Sequence, residues 1–135
     1  MRRERGAVTL LLLGVAAFVI LLAVGLGDVS LLIGARLQAA AAADAAALAA
    51  APVTFDDFGA RAGPVAEARR FAAANGARLV RCGCPVDRSW EARTVFVEVV
   101  RIIFLPGWGT VTVRAVSTAE FEPSRLLTEA PDPEA

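Results

Sequence analysis

The sequence predicts an α+β protein: a long N-terminal transmembrane helix that continues outside the membrane, then a short helix and a three-stranded antiparallel sheet. Three observations predict this fold. Residues 7–27 carry no charged side chain, residues 29–51 lack proline and become almost pure alanine, and residues 77–121 are rich in Val, Ile, Phe and Thr. Charge-free apolar length favours a membrane span, alanine favours helix, and β-branched and aromatic residues favour strands.

Residues 7–27 are long enough to cross a bilayer. At about 1.5 Å per helical residue they span roughly 32 Å, against a hydrocarbon core of about 30 Å. A basic leader, residues 1–6, precedes them and includes Arg2, Arg3 and Arg5. The positive-inside rule therefore predicts a single-pass protein of the cell membrane, with a cytoplasmic N-terminus and an extracytoplasmic C-terminal domain.

A cleaved secretory signal is the alternative for this N-terminal segment. The apolar region of a signal peptide runs to roughly 7–15 residues, and the present one is longer. The alanines at 39–43 nevertheless satisfy a small-x-small cleavage rule, which leaves a secreted or cell-surface form open.

The helix is expected to continue beyond the membrane, over residues 7–51 in all. Gly34 is the only glycine between residues 29 and 51, and eleven of the residues from 39 to 51 are alanine. Pro52 and the turn-forming residues after it predict the end of the helix. Because the helix is longer than a small domain requires, its outer part must lie against its own domain or against neighbouring copies.

One face of this helix carries small residues at spacings of three, four or seven. Small side chains let helix backbones approach closely in a membrane, so this seam is a candidate helix-packing surface, although alanine and glycine are also simply abundant here. Asp28, just beyond the apolar span, is either an ordinary interfacial charge or a partner for a neighbour's arginine or amine. The seam consists of Ala16, Ala23, Gly27, Ser30, Gly34 and Ala41.

A small extracytoplasmic α+β domain is predicted over residues 52–122. Pro64 is placed to begin a second helix, which is expected to end near Asn75 with Gly76 as its cap and to pack on the sheet. The predicted strands cover residues 77–82, 93–104 and 110–121, and residues 105–109 form the turn of a hairpin.

The middle strand is apolar on both faces, which predicts that both faces are covered. One face is expected to meet a helix, and the other a partner or the membrane surface. After the last strand, residues 123–135 are rich in proline and acidic side chains and are predicted to be a disordered tail.

The composition argues against an enzyme. The chain has no histidine and a net charge of zero, and beyond the anchor eleven arginines face twelve acidic residues. The usual general base of a Ser or Cys triad is missing, zinc would find at best two thiolates, and nucleic acid would find no basic face. We therefore predict no catalytic, cofactor-binding or metal site, no cofactor, no small-molecule substrate and no nucleic-acid partner.

Cys82 and Cys84 form the one reactive-looking motif, separated by Gly83 and followed by Pro85. In an extended strand the two Cα atoms lie near the upper limit for a relaxed disulfide, so an internal bridge requires the chain to fold at Gly83. In an oxidising exterior three outcomes remain open: an internal disulfide, disulfides to another chain, and free thiols.

The chain has a basic start before Gly6-Ala7-Val8-Thr9, a long apolar helix, an alanine-rich extension and a small helix-plus-sheet domain. In these features it resembles the TadE/TadG-like proteins of tight-adherence (Flp) pilus systems, well over residues 4–51 and loosely over residues 64–121. The resemblance is closest to short actinobacterial TadE-like proteins, in residues 42–50. It implies a pilin-like fold and a minor pilin or pseudopilin that contacts the membrane and, through its N-terminal helix, other pilin-like or secretion-system subunits.

The resemblance also implies a processing site between Gly6 and Ala7, because prepilin peptidases cut after the glycine that ends the leader. Pilins usually carry a glutamate five residues on, and this chain has Leu11 there. The alternative function is a surface-tethered or secreted binding module that uses the helix only for export and the apolar hairpin near Trp108 for contact.

Overall fold

The computed structural model describes residues 2–55 and 62–128, and it confirms the predicted α+β fold. A long helix is followed by a short helix, three strands and a single helical turn. The elements are α1 (Arg2–Val53), α2 (Pro64–Ala74), β1 (Arg78–Gly83), β2 (Arg93–Leu105), β3 (Gly109–Phe121) and α3 (Arg125–Thr128).

The three strands form one antiparallel sheet in the order β1-β2-β3. β2 and β3 pair along their whole length, from Arg93 opposite Phe121 to Leu105 opposite Gly109. β1 is shorter and reaches only as far as Val100 of β2. The end of the β2–β3 hairpin therefore extends beyond β1, and residues 101–105 of β2 have an open edge.

The helix α1 ends two residues later than predicted, at Val53, with Pro52 in its last turn. Thr54 closes this end, since its backbone N–H and its hydroxyl both donate to the carbonyl of Ala51, at 3.2 and 2.6 Å. Proline is tolerated here because the chain leaves the helix immediately afterwards, and helix boundaries commonly differ by one or two residues.

The core is built on a strip of alanines along the outer part of α1, which we call the alanine face. Its members touch Val95, Val97 and Val99 of β2 and two alanines of α2. A methyl side chain keeps the backbones close, so the small residues determine how tightly sheet and helix pack. The outer part of α1 thus lies against its own domain. The alanine face consists of Ala42, Ala43, Ala46, Ala47, Ala50 and Ala51.

The prediction that the second helix packs on the sheet was wrong in its main partner. α2 lies chiefly against α1 and only secondarily against β1. The reason is size, because the buried residues Pro64, Ala68 and Ala72 of α2 are small enough to meet the alanine face.

The predicted cap of α2 is confirmed. Gly76 has a left-handed φ of 69°, its N–H donates to the carbonyl of Ala73, and the N–H of Ala77 donates to the carbonyl of Ala72. These two bonds are the Schellman arrangement, which glycine favours because it has no Cβ.

The predicted tail falls mostly outside the described residues. Pro123 is fully buried, and α3 follows it. Residues 129–135 are outside the described part of the chain, and so are residues 56–61 in the link before α2.

A larger side chain on the alanine face should destabilise the domain. Ala46 is fully buried, and Ala46→Leu should lower the free energy of unfolding by about 1–3 kcal/mol because the sheet and α2 would be pushed apart. Denaturant unfolding of the full chain in detergent micelles measures this. Ala40→Leu, at an exposed position of the same helix, is the control, and an equal loss there would contradict the packing argument.

Candidate functional site

The first half of α1 makes no contact that buries it. Every side chain described from residue 6 to residue 27 is exposed, and an 18-residue window of this helix has a mean hydropathy of 2.9. Within the described residues α1 is the one helix long and apolar enough to cross a membrane. Its length and composition fit a single-pass anchor with a C-terminal domain.

The seam takes no part in the buried core, although Ser30 and Gly34 border a groove that β2 also lines. Gly34 is half-buried and the other five members are exposed. At about 100° per residue, the seam residues cluster roughly 120° around the helix from the buried positions Asp28, Ala35 and Ala46. A Cβ built on Gly27 or Gly34 meets nothing within 4 Å, so there is room beside the backbone at both positions.

The candidate processing site lies at the start of the same helix. Gly6 and Ala7 are both within α1 and exposed. Leu11 is 68 % exposed, as expected for a side chain directed at lipid.

Asp28 connects the anchor to the far end of the sheet. It is only 5 % exposed, and its Oδ2 accepts a hydrogen bond of 2.9 Å from the N–H of Gly107 in the β2–β3 turn. The partner of Asp28 is therefore a backbone amide of the same chain, which neither of the two interpretations from the sequence predicted. The bond fixes the turn against α1 at the outer end of the apolar span.

Position 107 lies so close to Asp28 that any side chain there would displace the carboxylate. A Cβ there would lie 2.5 Å from Oδ2 of Asp28 and 3.9 Å from Cγ1 of Val24. The turn is closed by the N–H of Trp108, which donates to the carbonyl of Leu105 at 3.1 Å. Gly109 then takes a left-handed φ of 79° as β3 begins.

The end of the β2–β3 hairpin, residues 102–113, presents large apolar side chains to the outside. Ile102, Phe104 and Trp108 are 62 %, 67 % and 80 % exposed. Between this hairpin end and α1 lies a groove of about 340 Å³, whose walls include Gly25, Val29 and Trp108.

The other half of the outer sheet face is covered by arginines. Glu98 pairs with Arg81 at 3.7 Å and with Arg114 at 3.2 Å. The Arg81 guanidinium also lies over the ring of Phe96, 4.9 Å from its centre. The outer face of β2 thus has two parts. Long charged side chains lie across one half, and the hairpin end is exposed.

The structure joins Cys82 and Cys84 by a disulfide. Their Cα atoms lie 5.4 Å apart, closer than the roughly 6.6 Å of two such positions in an extended strand, so the chain contracts at Gly83. Both cysteines are partly buried against the core. The bridge begins the loop from residue 84 to residue 92.

A buried arginine holds this loop. Arg93 is 8 % exposed, and its guanidinium donates to the carbonyls of Thr54, Asp87, Ser89 and Glu91. Hydrogen bonds from the hydroxyl and the N–H of Ser89 lower the pKa of Asp87 below its ordinary value. These bonds explain a polar, ordered loop, and they provide no catalytic arrangement.

Among residues 2–55 and 62–128, no group of three His, Cys, Asp or Glu side chains is placed to hold a metal ion. The features that remain are those of an anchor and of contact surfaces: an exposed apolar helix, a free small-residue face and an apolar hairpin end.

The helix is also the part of the chain that a family model recognises. Residues 6–56 match the putative Flp pilus-assembly TadE/G-like family. The match confirms the predicted resemblance over this TadE/G-like segment, which is α1 and the residues that end it. With the apolar helix it fits a membrane component associated with Flp pili, and it favours a structural, non-enzymatic role. The comparisons with curated proteins and with solved structures find no match.

Sequence reasoning missed the contact between Asp28 and Gly107. A signal was present, because one acidic residue interrupts an otherwise apolar stretch and a glycine lies in the middle of a turn. Nothing in the pattern relates two residues 79 positions apart, so the pairing became visible only with the hairpin folded back along α1.

Gly107→Ala should release the turn from α1. The new methyl group would push the Asp28 carboxyl group away from the N–H of residue 107, and the loss of this hydrogen bond should cost about 1 kcal/mol or more. Amide exchange in residues 105–109 should therefore rise roughly fivefold. Hydrogen exchange of the full chain in lipid nanodiscs measures this. Gly63→Ala is the control, since a Cβ there meets nothing within 4 Å. Unchanged exchange at the turn would show that the bond does not hold it.

Proposed function

We propose that this protein is a membrane-anchored, TadE-like minor pilin or pseudopilin, a structural component of a Flp-type pilus or a related secretion assembly. The observation that supports the proposal is the mostly exposed small-residue seam, which runs along the TadE/G-like segment and takes no part in the buried core. A helix that only tethered a domain would need apolar length and no particular face.

The division of the chain follows from the same proposal. Residues 1–6 are the cytoplasmic leader, residues 7–51 the transmembrane helix with its alanine-rich extension, residues 52–122 the extracytoplasmic domain, and residues 123–135 the tail. Basic residues on one side of the apolar span support this orientation.

Subunit contact is assigned to the seam because the two halves of α1 face different environments. Lipid gives apolar helices no hydrophobic reason to associate, so close packing of their backbones must provide the driving force for association. Gly27 and Gly34 leave open space beside the backbone, and the core of the domain packs on other positions of the helix. A second pilin-like helix can therefore approach the backbone closely at these two positions.

Bulk on the seam should weaken assembly without unfolding the domain. Gly27→Leu should reduce recovery in complexes larger than the monomer roughly tenfold, because interhelical contacts of this kind contribute about 1–2 kcal/mol. Size fractionation after mild detergent extraction from the protein's own host cell measures it. Gly14→Leu, with equally open space on the opposite side of the same span, is the matched control.

Equal behaviour of the two variants would contradict the proposal and favour a second function. In that case the helix serves only to export or tether the chain, and the protein is a surface-tethered or secreted binding module. The observation that favours this candidate is the exposure of Ile102, Phe104 and Trp108 at the hairpin end.

The N-terminus of the mature protein is expected to be Ala7 if the chain is processed as a prepilin. Intact mass and N-terminal sequence of the protein from the membrane fraction measure this. Gly6→Leu, which removes the glycine before the cut, should then leave the leader attached. A membrane-bound chain that retains Met1 would show a static subunit, and a terminus among the alanines after Gln38 would show secretion.

A further inference from the structure

We propose that the hairpin end, residues 102–113, is a second membrane contact that lies in the lipid headgroup interface beside α1. The inference rests on the membrane anchoring in the proposed function and does not depend on assembly. Its partner is the lipid surface itself, and the contact places the domain on the bilayer instead of above it.

The height of the hairpin end along α1 is the first argument. If the apolar span begins at Ala7, then Val24 lies about 26 Å and Asp28 about 32 Å along the helix axis, and the hydrocarbon core is about 30 Å thick. Gly107 is hydrogen bonded to Asp28, and a Cβ at its position would be 3.9 Å from Val24. The turn is therefore held at the boundary between hydrocarbon and headgroups.

The chemistry of the hairpin end matches that depth. Trp108, at the turn, is 80 % exposed and Phe104 is 67 % exposed, although the chain buries smaller apolar residues elsewhere. Tryptophan is enriched at membrane interfaces because its ring is apolar and its N–H can reach water or a headgroup. In water these side chains would be an unexplained apolar patch, and at this depth they meet lipid.

The distribution of charge follows the same boundary. Residues 102–113 have no charged side chain, and Arg101 and Arg114 flank them on the two strands. Arg101 lies four positions before Leu105 in β2, about 13 Å at 3.3 Å per residue. Arg36, which borders a groove with Arg114, lies about 12 Å beyond Asp28 along α1. Apart from Asp28, which is buried against Gly107, charged side chains thus begin only where the protein has left the hydrocarbon boundary.

The groove between the hairpin end and α1 gives lipid a place to enter. It has a volume of about 340 Å³, and Leu32, Leu105 and Val111 contribute to its walls. One side of the groove is the last turn of the apolar span, so the groove is continuous with the lipid-facing surface of the anchor.

Fluorescence quenching by brominated lipids tests the contact. In the full chain carrying Trp90→Phe, Trp108 is the only tryptophan, and in phosphatidylcholine vesicles with bromine near the headgroup end of the acyl chain it should lose about half of its emission. Bromine near the chain terminus should quench it less. Trp108→Phe leaves Trp90, which should be unaffected, because β2 separates it from the turn by about 40 Å.

A probe in the anchor separates the two ways in which the test can fail. Phe18→Trp, in a chain that also carries Trp90→Phe and Trp108→Phe, should be quenched most by bromine near the chain terminus. If this probe is quenched and Trp108 is not, the anchor stands and the second contact is overturned. If neither is quenched, the anchoring in the proposed function fails as well.

Coverage by protein is a distinct outcome. If Trp108 is shielded from acrylamide in the water phase and is not quenched by brominated lipid, it lies against another polypeptide. The proposal would then be overturned in favour of a protein partner. If acrylamide quenches Trp108 as strongly as it quenches Trp90, then Trp108 lies in water, and this result also overturns the proposal.

Discussion

The smallness of the residues along α1 is the constraint on which the rest of the structure depends. On one side of the outer helix, methyl groups let α2 and the sheet approach until three valines of β2 are fully buried. The domain is small, and the tight packing of its core against the helix backbone offsets the small volume of that core. Because the core of the domain uses one side of α1, most small residues of the seam stay exposed.

The two halves of α1 therefore differ both in the solvent around them and in the contacts they make. Residues 7–27 expose their apolar side chains, whereas from Asp28 onward one side is buried by the domain. The hydrogen bond from Gly107 to Asp28 lies where these environments meet, and it sets how far the sheet extends toward the bilayer. The proposed assembly face and the proposed lipid contact thus both depend on one geometry, in which the hairpin runs back along the helix.

Much of the fold could be predicted because it depends on local patterns. Charge-free length, the run of alanine, the alternation of β3 and the glycine at position 76 each specify an element without reference to the others. The packing of α2 on α1 could not be derived in this way, because alanine is both a helix former and a contact residue and the sequence does not say which role dominates. The contact between Asp28 and Gly107 and the carbonyl cluster around Arg93 depend on the tertiary fold alone.

Photo-crosslinking from the helix in its native membrane tests the central claim most directly. A diazirine-bearing side chain in place of Ala23 lies on the seam, and one in place of Leu21, also exposed in the apolar span, lies on the opposite side. The account predicts crosslinks to another protein subunit from position 23 and mainly to lipid from position 21. Protein crosslinks that are equal at both positions, or absent from position 23, would show that the small-residue face is not where this chain meets its neighbours.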